Sequence, residues 1–270
     1  MTGNATAEKA FLVPRAGHLA FALLFIWLGA MGLATGGFTA IWSGVPHGPS
    51  WRPALVYLTA AICLGAGLAL LWRRTRTAAA AVLVVYLAAW MLVFRLPLIV
   101  QAPTTTPPWW VCGETAVMLA GAWALLVSLG GGPRGGFMTG ATGLRLARML
   151  YGLGLIPFGV AHFTFFAHTV EVVPRWMPWP QAWAAITGAA FIAAGVAIVT
   201  GRFARPAAAL SAWMMGLFTL LVWVPIVIRG NPSPGDWQEF VDSCALSAAA
   251  WVVAESWRGQ TRAARDGQSS

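Results

Sequence analysis

The chain has 270 residues, of which 59% are hydrophobic and only 9% are charged. A water-soluble domain carries about 25% charged residues, so this composition excludes a soluble globular protein. The net charge is +9, but the charges lie in short clusters between long apolar runs. That pattern is typical of membrane loops and argues against a nucleic-acid partner, which needs a basic face on a polar domain. The composition therefore predicts an integral membrane protein whose main partner is the lipid bilayer.

Eight apolar segments are long enough, at about 20 residues, to cross the hydrocarbon core of a bilayer as helices. The eighth is the least regular, because Asp242 and Glu255 interrupt it. In chain order, the predicted spans lie within 16–51 and at 53–72, 77–100, 109–129, 149–169, 181–200, 206–228 and 237–257. The predicted fold class is therefore all-α, a polytopic membrane protein of about eight transmembrane helices.

Basic residues are distributed unevenly between the two sets of helix ends. One set of ends carries most of the arginines, whereas the opposite set carries only Arg52, Arg175 and Arg229. Cytoplasmic loops of membrane proteins are enriched in Lys and Arg, so the arginine-rich ends are predicted to be cytoplasmic. This places both termini in the cytoplasm and the protein in the cytoplasmic (inner) membrane.

The two halves of the chain are similar in sequence. Shifting the chain by 128 residues without a gap matches tryptophan with tryptophan, proline with proline, and Glu114 with Asp242. The matched aromatic and proline pairs are Trp51 with Trp179, Trp109 with Trp237, Trp123 with Trp251, and Pro97 with Pro225. Four helices per half make both units insert the same way round, which predicts a parallel internal repeat.

The predicted boundaries follow from this duplication. They are a cytoplasmic N-terminal tail (1–17), a first four-helix unit (18–129), a cytoplasmic linker (130–144), a second four-helix unit (145–257) and a cytoplasmic C-terminal tail (258–270).

The second half carries a motif at the end of its first helix. Gly159, His162 and Phe163 form a G-x-x-H-F ending, and residues 173–180 then read VPRWMPWP before a helix rich in small residues. This combination resembles the DoxX and DoxX-like membrane protein family. The resemblance covers about residues 145–256 and is weaker over 18–129, where the histidine is missing.

The resemblance implies a four-helix membrane fold and, as in some family members, a link to quinone-coupled sulfur oxidation or redox maturation. It thus implies a quinone or lipid ligand near the outer leaflet and a membrane or periplasmic redox partner. The redox-associated relatives have paired cysteines, whereas Cys63, Cys112 and Cys244 are far apart in sequence and are interpreted as packing residues. A bridge between Cys112 and Cys244 stays open.

The spacing of the four histidines predicts neither a metal nor a haem site. No nucleotide-binding, hydrolase or zinc-protease motif is present in the sequence, and catalytic residues and enzymatic activity stay open. Two alternatives to ligand binding remain, a small-solute transporter and a non-catalytic membrane anchor or accessory subunit.

Four polar residues within the predicted spans are candidate ligand-binding residues: Arg95, Glu114, His162 and Asp242. A charge at the centre of a bilayer costs about 2.5–3.5 kcal/mol on insertion scales, so Arg95 needs a partner or a function. Arg95 and Glu114 lie at similar predicted depths on neighbouring helices, which predicts an ion pair, with Asp242 as an alternative or additional acid. For His162, a hydrogen bond to a quinone carbonyl, a proton relay and a bond to a neighbouring helix are all open.

Overall fold

The computed structural model describes the backbone of residues 16–42, 44–130 and 138–266, with side chains up to Trp257. These ranges are helical and contain no strand. The helices are α1 (Ala16–Thr35), α2 (Arg52–Leu70), α3 (Arg76–Gln101), α4 (Thr106–Ser128), α5 (Gly140–Thr164), α6 (Phe166–Glu171), α7 (Pro180–Thr200), α8 (Ala204–Ile228) and α9 (Pro234–Asp266). Residues 1–15 of the predicted N-terminal tail, 131–137 of the predicted linker and 267–270 of the predicted C-terminal tail lie outside the described residues.

Seven of these helices are long and apolar enough to cross a membrane, namely α1 to α5, α7 and α8. The helix α9 has 33 residues but carries several acidic side chains, and it does not belong to this set. Large apolar side chains such as Val85, Val100 and Leu210 are exposed on the outer helices, which fits contact with lipid. The prediction of an all-α, polytopic membrane protein is confirmed at this level.

Helices α3 and α8 each contain a π-helical segment, Met91–Arg95 and Thr219–Trp223. Pro97 and Pro225 follow these segments by two residues. Proline lacks a backbone N–H and clashes with the carbonyl four residues earlier, so the helix widens just before it. The structure thus places a π turn next to each of the two prolines that the 128-residue shift aligns.

Three helix boundaries differ from those predicted by more than three residues. Helix α5 begins at Gly140 and α9 continues to Asp266, so helix extends into the predicted linker and C-terminal tail. At its other end, α5 stops at Thr164, and the short helix α6 follows it. Apolarity marks where a helix leaves the hydrocarbon, but the helix itself continues as long as its backbone groups remain paired.

Glycines bring the helices of each outer hairpin close together. A Cβ atom on Gly29 of α1 would lie 2.3 Å from the backbone nitrogen of Leu64 on α2. In the second half, a Cβ atom on Gly159 of α5 would lie 2.5 Å from the carbonyl oxygen of Gly188 on α7. Small residues at these contacts allow membrane helices to pack backbone against backbone.

Helices α4 and α9 form the centre of the bundle. They pack against each other, α4 also contacts α3 and α5, and α9 also contacts α8 and α1. Their closest approach includes Gly121 on α4, where a Cβ atom would lie 3.0 Å from the Cα atom of Ala249 on α9. Side chains that point into this contact are therefore remote from lipid.

The connection between α1 and α2 folds back into the bundle. Ile41, Trp42 and Val45 on this segment are buried, and the short 3₁₀ turn Ala40–Trp42 contacts α9. We term residues 36–42 and 44–51 the plug. Non-helical backbone at membrane depth is tolerated where protein covers it, and here α3 and α9 provide that cover. The sequence placed the first span somewhere within 16–51 and did not predict this buried connection.

Candidate functional site

Arg95 connects the plug to the centre of the bundle. Its side chain is 0% exposed, although it lies near the end of an apolar helix. The Nε atom donates a hydrogen bond to the hydroxyl of Thr115 on α4 at 3.1 Å, and Nη2 donates to the carbonyl oxygen of Ile41 in the plug at 2.5 Å. Arg95 is the last residue of the π-helical segment, so the widened turn next to Pro97 sets the position of the guanidinium.

Gly44 in the plug makes room for this guanidinium. Its φ angle is +87°, which side chains rarely adopt, and a Cβ atom there would lie 3.3 Å from Nη1 of Arg95. The fold of the plug and the position of Arg95 are thus mutually dependent.

Two buried acids lie near Arg95. Glu114 on α4 is 5% exposed and Asp242 on α9 is 7% exposed. Arg95 attracts both carboxyl groups electrostatically, and the charges of the two acids repel each other. The structure thus brings together three of the four candidate residues, contributed by three different helices.

One oxygen of this cluster has no hydrogen-bond partner. The Oδ1 atom of Asp242 is buried and makes no hydrogen bond to the described residues. A buried polar atom without a partner costs about 1–3 kcal/mol, and more when it is charged. Glu239, three residues earlier on α9, is only partly buried and repels both Glu114 and Asp242 when ionised.

A cavity of about 370 Å³ lies beside this cluster, between α1, the plug and the beginning of α9. The aromatic rings of Trp27, Phe38 and Trp237 line it, and Thr39 and Gln238 contribute polar groups. Its volume lies within the range of small-molecule sites, about 300–1,000 Å³. The lining also includes the residue that precedes Asp242, so the cavity is adjacent to the charged cluster.

Several hydrogen-bond donors around Phe38 lack an acceptor. The Thr39 hydroxyl, the indole Nε1 of Trp90 and Nε of Arg52 are buried and have no hydrogen-bond partner among the described residues. The Trp90 ring lies 5.8 Å from the Phe38 ring, and the Arg52 guanidinium lies over the Phe38 ring at 5.2 Å. Of these three donors, Thr39 lines the cavity, whereas Trp90 and Arg52 lie against the Phe38 ring that lines it.

His162, the fourth candidate, has a different set of neighbours. Its Nδ1 lies 2.7 Å from the carbonyl oxygen of Phe158 on its own helix. Its ring is 5.4 Å from the ring of Phe191 and 6.3 Å from that of Phe218. These neighbours differ from Thr115 and Ile41, the hydrogen-bond partners described for Arg95.

The three cysteines are free thiols in the structure, so Cys112 and Cys244 do not form the bridge that the sequence left open. Within the described residues, no group of three or more His, Cys, Asp or Glu side chains is placed to hold a metal ion.

Sequence reasoning did not find the cavity. Trp27, Phe38 and Thr39 carry no motif, and the sequence relates Trp237 to Trp109 through the repeat but not to a cavity. These residues come from α1, the plug and α9, and only the packing of these elements places them around one space. The one local feature of the sequence that marks this region is an uncharged segment after α1 that is rich in Gly and Thr.

Comparisons with family models, curated proteins and solved structures found no match to this chain. The resemblance to DoxX-like proteins therefore stays a prediction from the sequence motif.

Proposed function

We propose that this protein is a DoxX-like membrane protein that binds a quinone, or a lipid with a similar carbonyl head group, in the cavity between α1, α9 and the plug. One observation carries the proposal: the cavity wall has three aromatic rings next to the buried Thr39 hydroxyl, which lacks a partner. Aromatic rings stack on a planar apolar head group, and a donor without an acceptor favours a ligand that supplies a carbonyl oxygen.

The proposed orientation places this cavity on the outer side of the membrane. The cavity lies at the C-terminal end of α1 and the N-terminal end of α9. These ends are opposite to the arginine-rich connection between α2 and α3, which contains Arg73 and Arg74 and is followed by Arg76 as the first residue of α3. A quinone dissolved in the bilayer would enter from the outer leaflet, and a membrane or periplasmic redox protein would exchange electrons with it there.

We further propose that the chain is a parallel duplication with α9 as an eighth span. Adding 128 to the bounds of the π-helical segment Met91–Arg95 gives those of Thr219–Trp223, and the same shift relates the first residues of α4 and α9. The contact of Gly121 with Ala249 joins two residues related by this shift. A contact between equivalent residues is expected where a two-fold axis along the membrane normal passes between the units.

A small-solute transporter is the second candidate, and a different observation favours it. Arg95, Glu114 and Asp242 lie between the two halves, where transporters built from repeats place their binding sites. The plug covers this cluster, whereas the aromatic cavity has the volume of a small-molecule site, so we rank ligand binding first. A simple membrane anchor requires no cavity, and no observation favours it.

The test is ligand binding by purified protein in nanodiscs. We expect a short-chain quinone to quench tryptophan fluorescence saturably, because Trp27 and Trp237 line the cavity. Replacing Trp237 and Thr39 by Ala and Val should weaken binding at least about ten-fold, equivalent to about 1.4 kcal/mol. Trp213→Ala is the matched control, because Trp213 is exposed on α8 and packs against Trp251.

Two results would contradict the proposal. One is the absence of saturable quenching in the parent protein, and the other is equal affinity in the cavity variant and the Trp213→Ala control. Accumulation of a polar solute in proteoliposomes without quinone binding would favour the transporter.

A further inference from the structure

We propose that Glu114 and Asp242 hold one proton between them, which makes the contact between α4 and α9 a reversible proton-binding site. This inference concerns the charged cluster and does not depend on the identity of the ligand in the neighbouring cavity.

The charge balance of the cluster is the first argument. Arg95, Glu114 and Asp242 are all buried, and they carry one positive and two negative charges when both acids are ionised. A net charge in a region shielded from water is strongly unfavourable, and two buried carboxylates that repel each other avoid it when one of them retains a proton. One proton shared by the pair makes the buried trio neutral.

The hydrogen bonds of Arg95 provide the second argument. Two of its donor groups serve neutral oxygens, the Thr115 hydroxyl and the Ile41 carbonyl, so the guanidinium is not committed entirely to the two acids. At the same time, the buried Oδ1 of Asp242 has no hydrogen-bond partner in the described part of the chain. A protonated carboxyl tolerates such a position at lower cost than an ionised one, because the neutral group loses less hydration energy.

The surrounding elements supply few other charges. Glu114 and Asp242 face Arg95, each other and Glu239 on α9. Cys112 on α4 lies near Arg95. Glu239 in turn faces Asp236 and, on α6, His168. On the remaining sides, α8 contributes the Thr219 hydroxyl, which is bonded to Ser243 and Ser247 of α9. The helix α1 and the plug contribute apolar side chains, the Thr39 hydroxyl and the Ile41 carbonyl. The additional negative charge of Glu239 strengthens the tendency of the pair to keep its proton.

A route for proton exchange lies next to the pair. Val241 and Gln238 line the cavity, and Asp242 follows Val241 directly. Further along α4 and α9, away from the cavity, Gly121 packs tightly against Ala249, where a Cβ atom would lie 3.0 Å from the Cα atom of Ala249. The proton therefore exchanges with the outer side through the cavity, and a bound ligand would slow this exchange.

Infrared spectroscopy of the protein in nanodiscs tests the proposal directly, because protonated and ionised carboxyl groups have separate bands. We expect a band from a buried protonated carboxyl in the parent protein at neutral pH, with a shift in D₂O. Asp242→Asn leaves Glu114 alone with Arg95, and Glu114→Gln leaves Asp242 alone with Arg95. In each variant, Arg95 and the remaining carboxylate are neutral together without a bound proton. Both single variants should therefore lose the band.

Controls assign the band to the pair. Glu255→Gln changes another buried carboxyl of α9, and Glu239→Gln changes the partly buried neighbour, and both should retain the band. If either substitution in the pair prevents folding, Glu114→Asp retains the charge and should shift the band without abolishing it. Absence of the band in the parent protein, its survival in both pair variants, or its loss in only one of them would overturn a shared proton.

Discussion

At the scale of single residues, Arg95 shows how a charge is accommodated inside an apolar bundle. The guanidinium bonds to the plug and to α4, and two acids offset its charge. Removing a single partner from a buried ionic cluster strands the remaining charge, whereas removing two opposite charges together leaves a more balanced site. The Arg95 side chain also holds the plug in place, because it donates a hydrogen bond to the backbone carbonyl of Ile41. An ion pair with an acid alone would not fix the plug.

Arg95→Leu should therefore lower stability by about 3–5 kcal/mol and loosen the plug. We expect a lower thermal unfolding temperature in detergent and faster hydrogen–deuterium exchange at Ile41 and Trp42. The double variant with Glu114→Leu should recover much of the unfolding temperature, but not the slow exchange of the plug, because the bond to Ile41 stays lost. An Arg95→Leu variant as stable and as protected as the parent would show that Arg95 is dispensable to both.

At the scale of helix pairs, glycines set the distance between α1 and α2. Gly29 faces the backbone of Leu64, whereas Gly65 on α2 has no atom within 4 Å of its would-be Cβ. The two glycines lie on the same hairpin, but the methyl group of an alanine would clash with the neighbouring helix only at position 29. Gly29→Ala should therefore separate the helices and lower the unfolding temperature. Gly65→Ala should be neutral or stabilising, by up to about 1 kcal/mol, because alanine favours helix. Equal effects of the two substitutions would argue against close packing at Gly29.

The beginning of α9 is fixed by a capping box. The backbone N–H of Asp236 donates to the Ser233 hydroxyl at 3.1 Å, and the carboxylate of Asp236 accepts from the Ser233 backbone N–H at 2.9 Å. The hydrogen bonds from the Ser233 hydroxyl and backbone lower the pKa of Asp236 below its usual value. This cap positions the first turns of α9, which carry Trp237 and Gln238 into the cavity wall.

The capping box predicts how the stability of the protein changes with pH. The pKa of Asp236 is lower in the folded than in the unfolded protein. Its ionised carboxylate therefore stabilises the fold above the pKa of the unfolded state, about 3.9, and this stabilisation is lost as pH falls through the pKa of the folded state. Ser233→Ala should cost about 1 kcal/mol at neutral pH and less at acidic pH, as measured by thermal unfolding. Asp236→Asn should remove this pH dependence. A constant effect of Ser233→Ala across acidic and neutral pH would mean that the carboxylate does not contribute.

At the scale of the whole molecule, the central contact of α4 with α9 joins the two halves of the bundle. Under the proposed topology, this contact lies between two four-helix units that insert in the same direction. Reporter fusions at Ser270 and in the connection 73–76 should both read cytoplasmic. A periplasmic signal at either site would contradict eight spans with both termini inside, and a periplasmic Ser270 alone would remove α9 from the set of spans.

The contact between the halves is also testable on its own. Gly121→Leu should disrupt the packing of α4 on α9, because a Cβ atom already lies 3.0 Å from the Cα and Cβ atoms of Ala249. Among substitutions at Ala249, only glycine should partly restore the folding of Gly121→Leu, because only glycine is smaller than alanine. Cysteines at 121 and 249 should cross-link within one chain. Efficient folding of Gly121→Leu without rescue would show that the two helices are not in close contact.

The sequence alone determined the class of the fold and most helix positions, because a bilayer requires about 20 apolar residues per span and proline perturbs the helix around it. It also predicted that Arg95 would need Glu114 or Asp242, since a charge in an apolar environment must be offset. The packing decided the rest. Ile41 and Trp42 belong to a loop that enters the bundle, and no local pattern distinguishes an inward loop from an exposed one. The cavity and the α4–α9 contact join residues far apart in the chain, and their proximity depends on how whole helices pack, which periodicity and composition do not encode.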